Sequence, residues 1–127
     1  MPMSWHTMME FEPPTVGCVI NIPTVELAKK VVACGNISGR DFDKFRAFGL
    51  TQVLASLVAA PLIGECYANL ECRIMDARMV AKYNFFILEV LKAWIDPLMK
   101  TPRTIHHLGR GAFMVAGRKI KLPSRMK

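Results

Sequence analysis

Few polar side chains in this sequence stand at the spacings that catalytic groups use. No Gly-x-Ser-x-Gly motif is present, and no histidine lies at an informative spacing from a carboxylate, so a hydrolase with a triad is disfavoured. His106 and His107 are adjacent, and an extended chain would point them in opposite directions, so they do not chelate one metal ion. We interpret this pair as part of a solvated loop.

The four cysteines favour packing over chemistry. Cys18, Cys34, Cys66 and Cys72 include no Cys-x-x-Cys pair, and the three histidines are scattered far from them, which argues against a zinc site. In a reducing compartment we expect these thiols to be small buried hydrophobes. The sequence therefore predicts neither a metal site nor a catalytic nucleophile.

What remains is a site in which a bound cofactor supplies the chemistry and the protein holds it. Such a site needs an aromatic or apolar wall, backbone donors, and cations for a phosphate or for an anionic ring. The candidates are Trp5, Phe113 and Lys44, the last with Arg40 and Arg46 near it in the sequence. Each candidate also has an ordinary explanation, since Trp5 and Phe113 could be core residues and Lys44 a helix-surface charge.

The elements that must position these residues are mostly strands. Strands are predicted at residues 3–11, 15–22, 66–74, 84–95 and 112–116. The alternation of apolar and polar residues makes the third of these the clearest. The fourth is apolar on both faces, and the spacing of Glu89 and Lys92 would also suit a helix. Its aromatic and β-branched content favours a strand.

Two helices are predicted between these strands. The first opens at Pro23-Thr24 and runs to about Cys34, because apolar residues recur on one of its faces and Gly35 closes it. The second is a short helix over Asp41–Phe48. Ser38 and Asp41 have the spacing of a capping box, so Ser38 is its expected N-cap.

This order of elements predicts a mainly β fold, a small β-barrel with helical insertions, in one domain. The 127 residues suffice for one domain and not for two. Alternating β-α-β units are absent, as are the Gly-x-Gly-x-x-Gly motif and the phosphate-binding P-loop. A Rossmann-type dinucleotide site is therefore not supported.

The net charge of +7 is concentrated at one end of the chain. Residues 97–127 contain eight Lys and Arg and no acid, whereas residues 1–96 sum to −1 (nine basic minus ten acidic residues). We favour a solvated basic segment over a cation-lined anion pocket. A nucleic-acid-binding arm ranks third, since no aromatic residues accompany the charges.

The sequence predicts a cytoplasmic protein without a membrane partner. It contains no run of about 18 apolar residues, and its first residues have neither a basic start nor an apolar signal region. The apolar share of 52% is high for a small domain, which indicates apolar surface buried in a dimer or against a cofactor.

Several segments resemble the flavin reductase-like family, which includes the flavoredoxins. They are Met1–Met9, Val19–Thr24, Ser38–Phe45, Leu50-Thr51, Ala60-Pro61, Leu70–Cys72 and Gly109–Gly117. Their order and spacing match the family from about Val19 onwards. The combination of Asn21–Pro23 with Ser38–Phe45 is fairly specific, although no single segment would be.

The resemblance implies an FMN-binding split β-barrel that forms a homodimer, with the flavin near the subunit interface. It implies an oxidoreductase of the flavin reductase type, in which NAD(P)H reduces FMN and the electrons pass to an acceptor. By the same resemblance, the isoalloxazine ring is lined by Met3, Ser4 and Trp5, approached by Lys44, and bounded by Phe113. Tyr83 stands where relatives often carry a histidine.

Two departures from the family pattern fall on the expected flavin site. Relatives have one or two further strands before Met1. They also have a phosphate-gripping loop between the strands that correspond to Gly17–Val19 and Asn21–Pro23, which are fused here. Residues 1–127 are therefore expected to form a single but partial domain. The alternative is a truncated, flavin-free relative that serves as a dimeric structural or interaction module.

Overall fold

The computed structural model describes residues 17–37 and 43–127, and strands outweigh helices among them. The strands are β1 (Gly17–Ile22), β2 (Gln52–Val53), β3 (Leu62–Ile63), β4 (Ala68–Asp76), β5 (Ile87–Ile95), β6 (Ile105–Gly109) and β7 (Ala112–Val115). The helices are α1 (Ala28–Gly35), α2 (Lys44–Phe48) and α3 (Val80–Tyr83). The strand predicted at residues 3–11 lies outside the described residues.

An antiparallel sheet of β1, β4 and β5 forms the centre of the fold, with β4 in the middle. β4 follows the predicted alternation, so Cys72 points to one face while Asn69 and Glu71 point to the other. Cys18 lies opposite Cys72, and Val90 of β5 lies opposite Cys72 on its other side. The predictions of buried strands near 15–22 and 66–74 are confirmed.

β5 is a strand and not the helix that its charge spacing would also allow. It pairs with β4 along its whole length, with irregularities at Glu71/Cys72 and at Ile74/Asp76. Arg73 of β4 and Glu89 of β5 are cross-strand partners and form a surface ion pair. Glu89 therefore pairs with a residue on the neighbouring strand and not with a residue one helical turn away.

Two small hairpins complete the β structure, and the sequence predicted only one of their four strands. β2 pairs with β3, and β6 pairs with β7. The second hairpin is tied to the segment after β1 by a bridge between Thr24 and Thr104 and by a 2.9 Å bond from the Val25 amide to the Arg103 carbonyl. The interpretation of His106 and His107 as a loop pair is wrong, because both lie in β6.

The helices follow β1 in the predicted order. A 3₁₀ turn over Val25–Leu27 leads into α1, which ends at Gly35 as predicted. α2 begins at Lys44 and not at Asp41, because Asp43 has extended backbone angles and its carboxylate accepts the Arg46 amide at 3.3 Å. Asp43 is the N-cap of this helix. Ser38, the expected N-cap, lies outside the described residues.

Apolar contacts in the described residues form three small clusters instead of one large core. They centre on Cys18 with Cys72, on Val19 with Ala60 and Leu62, and on Leu27 with Ile63 and Cys66. All four cysteines are free and buried, and burial raises the pKa of the Cys18 and Cys66 thiols to about 11. Their interpretation as packing residues is confirmed. No helix in the described ranges is long and apolar enough to cross a membrane.

Candidate functional site

A cavity of about 580 Å³ lies between α1, the segment that follows β1, and the β6–β7 hairpin. Its volume is within the range of small-molecule sites, which is roughly 300–1,000 Å³. Most of the wall is apolar and includes Ile22, Leu27, Val31, Ile63 and Ile105. Leu27 and Ile63 are core residues, so the wall on that side is a packed surface.

The β6–β7 hairpin contributes an aromatic corner to this cavity. His107 and Phe113 are cross-strand partners, and their ring centroids lie 5.0 Å apart at an interplanar angle of 42°. Both residues line the cavity, and His106 does not. The sequence analysis predicted a loop for the two histidines and therefore missed the place of His107 in the cavity wall. The predicted strand at 112–116 needs a pairing partner, and the residues before Gly109 were the nearest one.

Two cations, Lys30 and Arg110, also line the cavity, and no Asp or Glu does so among the described residues. Lys30 lies on α1, and its ammonium is 3.5 Å from the Gly49 carbonyl oxygen. Arg110 occupies the tip of the β6–β7 hairpin between Gly109 and Gly111. All three tip residues have left-handed φ angles of 100°, 53° and 75°, which the two glycines adopt without strain.

A side-chain amide is held in place at the cavity wall. Asn21 lines the cavity and donates to the Asn69 side-chain oxygen at 2.6 Å. Asn69 is buried and bonds both backbone groups of Ile63, accepting from its amide at 3.0 Å and donating to its carbonyl at 3.1 Å. The two strands that carry these asparagines are paired at this position, so the orientation of Asn21 is fixed by the sheet.

Lys44, the cation predicted for the site, lies at the edge of the cavity. Its ammonium donates to the Cys34 carbonyl oxygen at 2.6 Å, and Cys34 lines the cavity. Cys34 is in the last turn of α1, where carbonyl groups lack helical partners and attract cations. Lys44 therefore caps α1 from α2 and places a positive charge beside the cavity.

The other predicted site residues divide into three groups. Phe113, which the resemblance places near the flavin ring, lines the cavity. Tyr83 ends α3, is 65% exposed, and does not line this cavity. Met3, Ser4 and Trp5 lie outside the described residues, so their role stays a prediction.

A second polar cluster lies elsewhere in the fold, around Glu71. The carboxylate of Glu71 is fully buried and accepts the amides of Ser56, Leu57 and Val58 at 3.1, 2.6 and 3.3 Å. It also accepts the Trp94 indole N–H at 2.6 Å. Burial alone would raise the pKa of Glu71, but these four bonds outweigh it and hold the pKa below its usual value.

Lys92 covers this second cluster. Its ammonium lies 4.3 Å from the centre of the Trp94 ring and 3.3 Å from the Ser56 hydroxyl. The Glu71 carboxylate thus accepts four hydrogen bonds and is buried away from any substrate. Its role is to hold the loop between β2 and β3 against the sheet.

The family to which the chain belongs follows from two comparisons. The profile of the flavin reductase-like domain family matches residues 17–110. The uncharacterized protein YddH of Escherichia coli K12 is 30% identical over 150 residues, which cover 94% of this chain and 79% of that protein. The chain therefore belongs to the flavin reductase-like domain family, as the sequence resemblance predicted.

Solved structures with the same fold confirm the mainly β, split-barrel architecture. An FMN-binding domain of a flavin reductase-like enzyme from Shewanella baltica superposes with a TM-score of 0.73 at 24% identity, covering 83% of this chain and 62% of that one. Flavoredoxin of Desulfovibrio vulgaris gives a TM-score of 0.67 at 22% identity, covering 82% and 61%. This chain thus spans about three fifths of each solved chain.

Proposed function

We propose that this protein binds FMN in the cavity beside α1 and acts as an oxidoreductase of the flavin reductase type. The observation that carries the proposal is a ligand-sized cavity with apolar and aromatic walls, two cations and no acid among its described lining residues. Membership of the flavin reductase-like family supports flavin binding. When bound, FMN supplies the redox chemistry, in which electrons from NAD(P)H pass to an acceptor.

The residues of the cavity fit this cofactor. An isoalloxazine ring needs an apolar or aromatic surface, which Phe113 and the apolar wall provide. Its polar edge needs hydrogen-bonding groups, which the fixed Asn21 amide can provide. Its phosphate needs positive charge, which Lys30 and Arg110 carry on the wall, where Lys30 also interacts with the carboxylate of Glu65.

Four further residues keep the roles that the resemblance implies. We assign Met3, Ser4 and Trp5 to the ring side of the site and Lys44 to its positive edge. The contact of the Lys44 ammonium with the carbonyl of Cys34, a cavity residue, supports this assignment. Tyr83 can belong to the site only if a second subunit brings it there, and we assign it on that basis.

We also propose a homodimer formed by the face of the sheet that carries Cys72. Among the residues that the structure describes, β5 is an edge strand, and its Val90 and Ile95 lie on that face, at 53% and 59% exposure. Exposed apolar surface of this kind on a sheet edge is suited to a second copy. Val90→Lys with Ile95→Lys should give a monomer in sedimentation analysis, whereas Leu98→Lys, at an exposed loop residue, should leave the dimer intact.

The enzymatic part of the proposal is tested with the purified protein of residues 1–127. We expect a yellow protein that contains near-stoichiometric FMN and oxidises NADH or NADPH when an acceptor is supplied. A colourless, folded dimer that does not bind added FMN would instead favour the flavin-free structural or interaction module. Bound FMN without NAD(P)H oxidation would keep the binding site and reject the reductase activity. The cytoplasmic location stays a prediction.

A further inference from the structure

The sequence ends in a basic segment that is exposed along its whole length. We call residues 117–127 the basic arm, and they contain no helix or strand. The arm has no acid and carries five cations, which are Arg118, Lys119, Lys121, Arg125 and Lys127. Among the described residues, no ion pair or hydrogen bond joins these cations to an acidic side chain. Their charge is therefore open to a partner.

The basic arm also exposes large apolar side chains between its charges. Ile120 and Leu122 are each 71% exposed, and Met126 is 88% exposed. Because side chains alternate along an extended segment, Ile120 and Leu122 share one side of it, and Lys119 and Lys121 share the other. A protein partner can cover such apolar residues while it pairs the charges, whereas a phosphate backbone pairs the charges alone. The composition of the arm thus favours a protein over a nucleic acid.

The acids of this chain are engaged away from the basic arm. Every acidic side chain in the described residues has a hydrogen-bonding or ionic partner in its own chain, and no such partner belongs to the arm. These acids are Glu26, Asp43, Glu65, Glu71, Asp76, Glu89 and Asp96. A second copy carries the same net charge of +7, so its overall field repels the arm. Charge complementarity therefore favours a different protein with an acidic surface.

The basic arm begins beside the candidate cofactor cavity. It follows β7, which carries the cavity residue Phe113. The Ala116 amide, one residue before the arm, donates to the Thr104 carbonyl oxygen at 2.8 Å and ties the start of the arm to the segment before β6. A protein held by the arm would therefore lie near the place where a bound redox cofactor exchanges electrons.

We infer that the basic arm docks an acidic electron-accepting protein beside the cavity. The inference rests on the proposed function, because it takes this protein to be the acceptor of the reductase. A haem-type acceptor takes one electron, so one NAD(P)H gives one electron to each of two acceptor molecules and leaves as NAD(P)⁺ with release of one proton. Opposite charges speed the encounter and fix its orientation, and the apolar residues of the arm add contact area.

The experiment uses cytochrome c and its succinylated form as probes. Succinylation converts lysine ammonium groups into carboxylates, so the two probes share one haem protein and differ in the sign of their charge. Binding of each probe to the protein of residues 1–127 is measured by sedimentation velocity at the haem absorbance. We expect the succinylated form to bind, the basic form not to bind, and binding to weaken as the salt concentration rises. Equal binding of both probes would reject an acidic partner.

Charge-reversed variants locate the binding surface. Lys119→Glu with Lys121→Glu changes the basic arm, and Lys82→Glu with Lys100→Glu makes the same change in net charge at exposed residues outside it. The arm variant should lose about tenfold or more in affinity for the succinylated probe, because two attractions become repulsions, and the control should lose much less. Equal losses would show that net charge alone explains binding, and the arm would be rejected.

A second variant tests the apolar part of the basic arm. Ile120→Ser with Leu122→Ser leaves every charge in place and removes two exposed apolar side chains. Its affinity for the succinylated probe should fall at both low and high salt, because the burial of apolar surface is not screened. Unchanged affinity would reject apolar contact with the partner.

Electron transfer is measured separately from binding, under anaerobic conditions with NADH or NADPH. Menadione, a small uncharged acceptor, is the reference. The charge-reversed arm variant should lose reduction of the succinylated probe and keep reduction of menadione. If the native protein reduces neither acceptor, the proposed function fails, and the docking surface is retained or rejected on binding alone. If probe reduction does not depend on the arm, its role in electron delivery is rejected.

Two further probes test the choice of partner. Duplex DNA and phosphatidylserine vesicles are titrated against the native protein and the charge-reversed arm variant at the same salt concentration. We expect both to bind more weakly than the succinylated probe. Tighter binding of either one that is lost in the arm variant would overturn the acidic-protein assignment and give the basic arm to a nucleic acid or to a membrane surface.

Discussion

The Glu71 cluster and the cavity beside α1 differ in how their charged groups are placed. Glu71 is fully buried, and its carboxylate receives four hydrogen bonds from the same chain. The cavity instead presents two cations with no carboxylate among its described lining residues. The hydrogen bonds around Glu71 satisfy its charge within the chain and stabilise the fold, whereas we propose that the cations on the cavity wall also bind an anion from outside the chain. The predictions below test this contrast.

Removing the Glu71 carboxylate should have the largest effect on stability. Glu71→Ala leaves three backbone amides and the Trp94 indole without an acceptor, so we expect a loss of about 3 kcal/mol or more in the free energy of unfolding. Urea denaturation measures this. Glu89→Ala is the control, because the exposed pair with Arg73 should contribute less than about 1 kcal/mol. Equal losses in both variants would contradict a structural role for the buried cluster.

The same carboxylate should make stability depend on acid pH. The folded-state pKa of Glu71 lies below its ordinary value of 4.5, so its stabilising effect is present above that value and is lost as pH falls through the lower folded-state pKa. Urea denaturation at neutral pH and below pH 4.5 measures this dependence. On acidification, the free energy of unfolding should fall less in Glu71→Gln than in the native protein. Parallel pH profiles would show that Glu71 is not held as a carboxylate.

Asn69 lies between the two regions and should have an intermediate effect. Asn69→Ala removes both bonds to the Ile63 backbone and the contact that orients Asn21, so we expect a loss of about 2 kcal/mol in unfolding free energy. Asn21→Ala should cost less stability, because Asn21 makes one of these bonds, yet it should weaken flavin binding. If Asn21→Ala leaves flavin affinity unchanged, its amide does not take part in the site.

Lys44 should have the smallest effect on stability and a separate effect on the cofactor. Lys44→Ala removes a charged bond to the last turn of α1, worth about 1–2 kcal/mol. It should also weaken flavin binding or lower the flavin reduction potential, because a cation favours an anionic reduced ring. Lys119→Ala is the control, because Lys119 is exposed and does not line the cavity. A loss of stability alone would make Lys44 a helix cap without a role at the flavin.

Much of the fold could be predicted from local patterns. The alternation in β4 and the β-branched residues of β1 identify strands without tertiary information, and Gly35 and Gly49 mark the ends of α1 and α2. The two-residue strands β2 and β3 are too short for periodicity to detect. The start of α2 was predicted too early, because the sequence offers two residues that can act as an N-cap, Ser38 and Asp43. Sequence spacing alone does not choose between them.

The site was less predictable, because its residues meet only in three dimensions. Phe113 and Lys44 were candidates from their residue types, and their roles at the flavin came from the resemblance to the family. Lys30, His107 and Arg110 carry no local signature, and they become neighbours of one cavity only when α1 packs beside the β6–β7 hairpin. The donors around Glu71 are equally non-local, since they lie 13 to 23 residues away in sequence.

The most direct test of flavin binding in this cavity is an FMN titration of the native chain, Phe113→Ala and Phe85→Ala. Phe85 is the matched control because it is 53% exposed and does not line the cavity. We predict saturable binding, weakened about tenfold by the loss of the Phe113 ring and unchanged by the loss of Phe85. Native FMN affinity in Phe113→Ala, or equal weakening in both variants, would contradict the placement of the flavin beside α1.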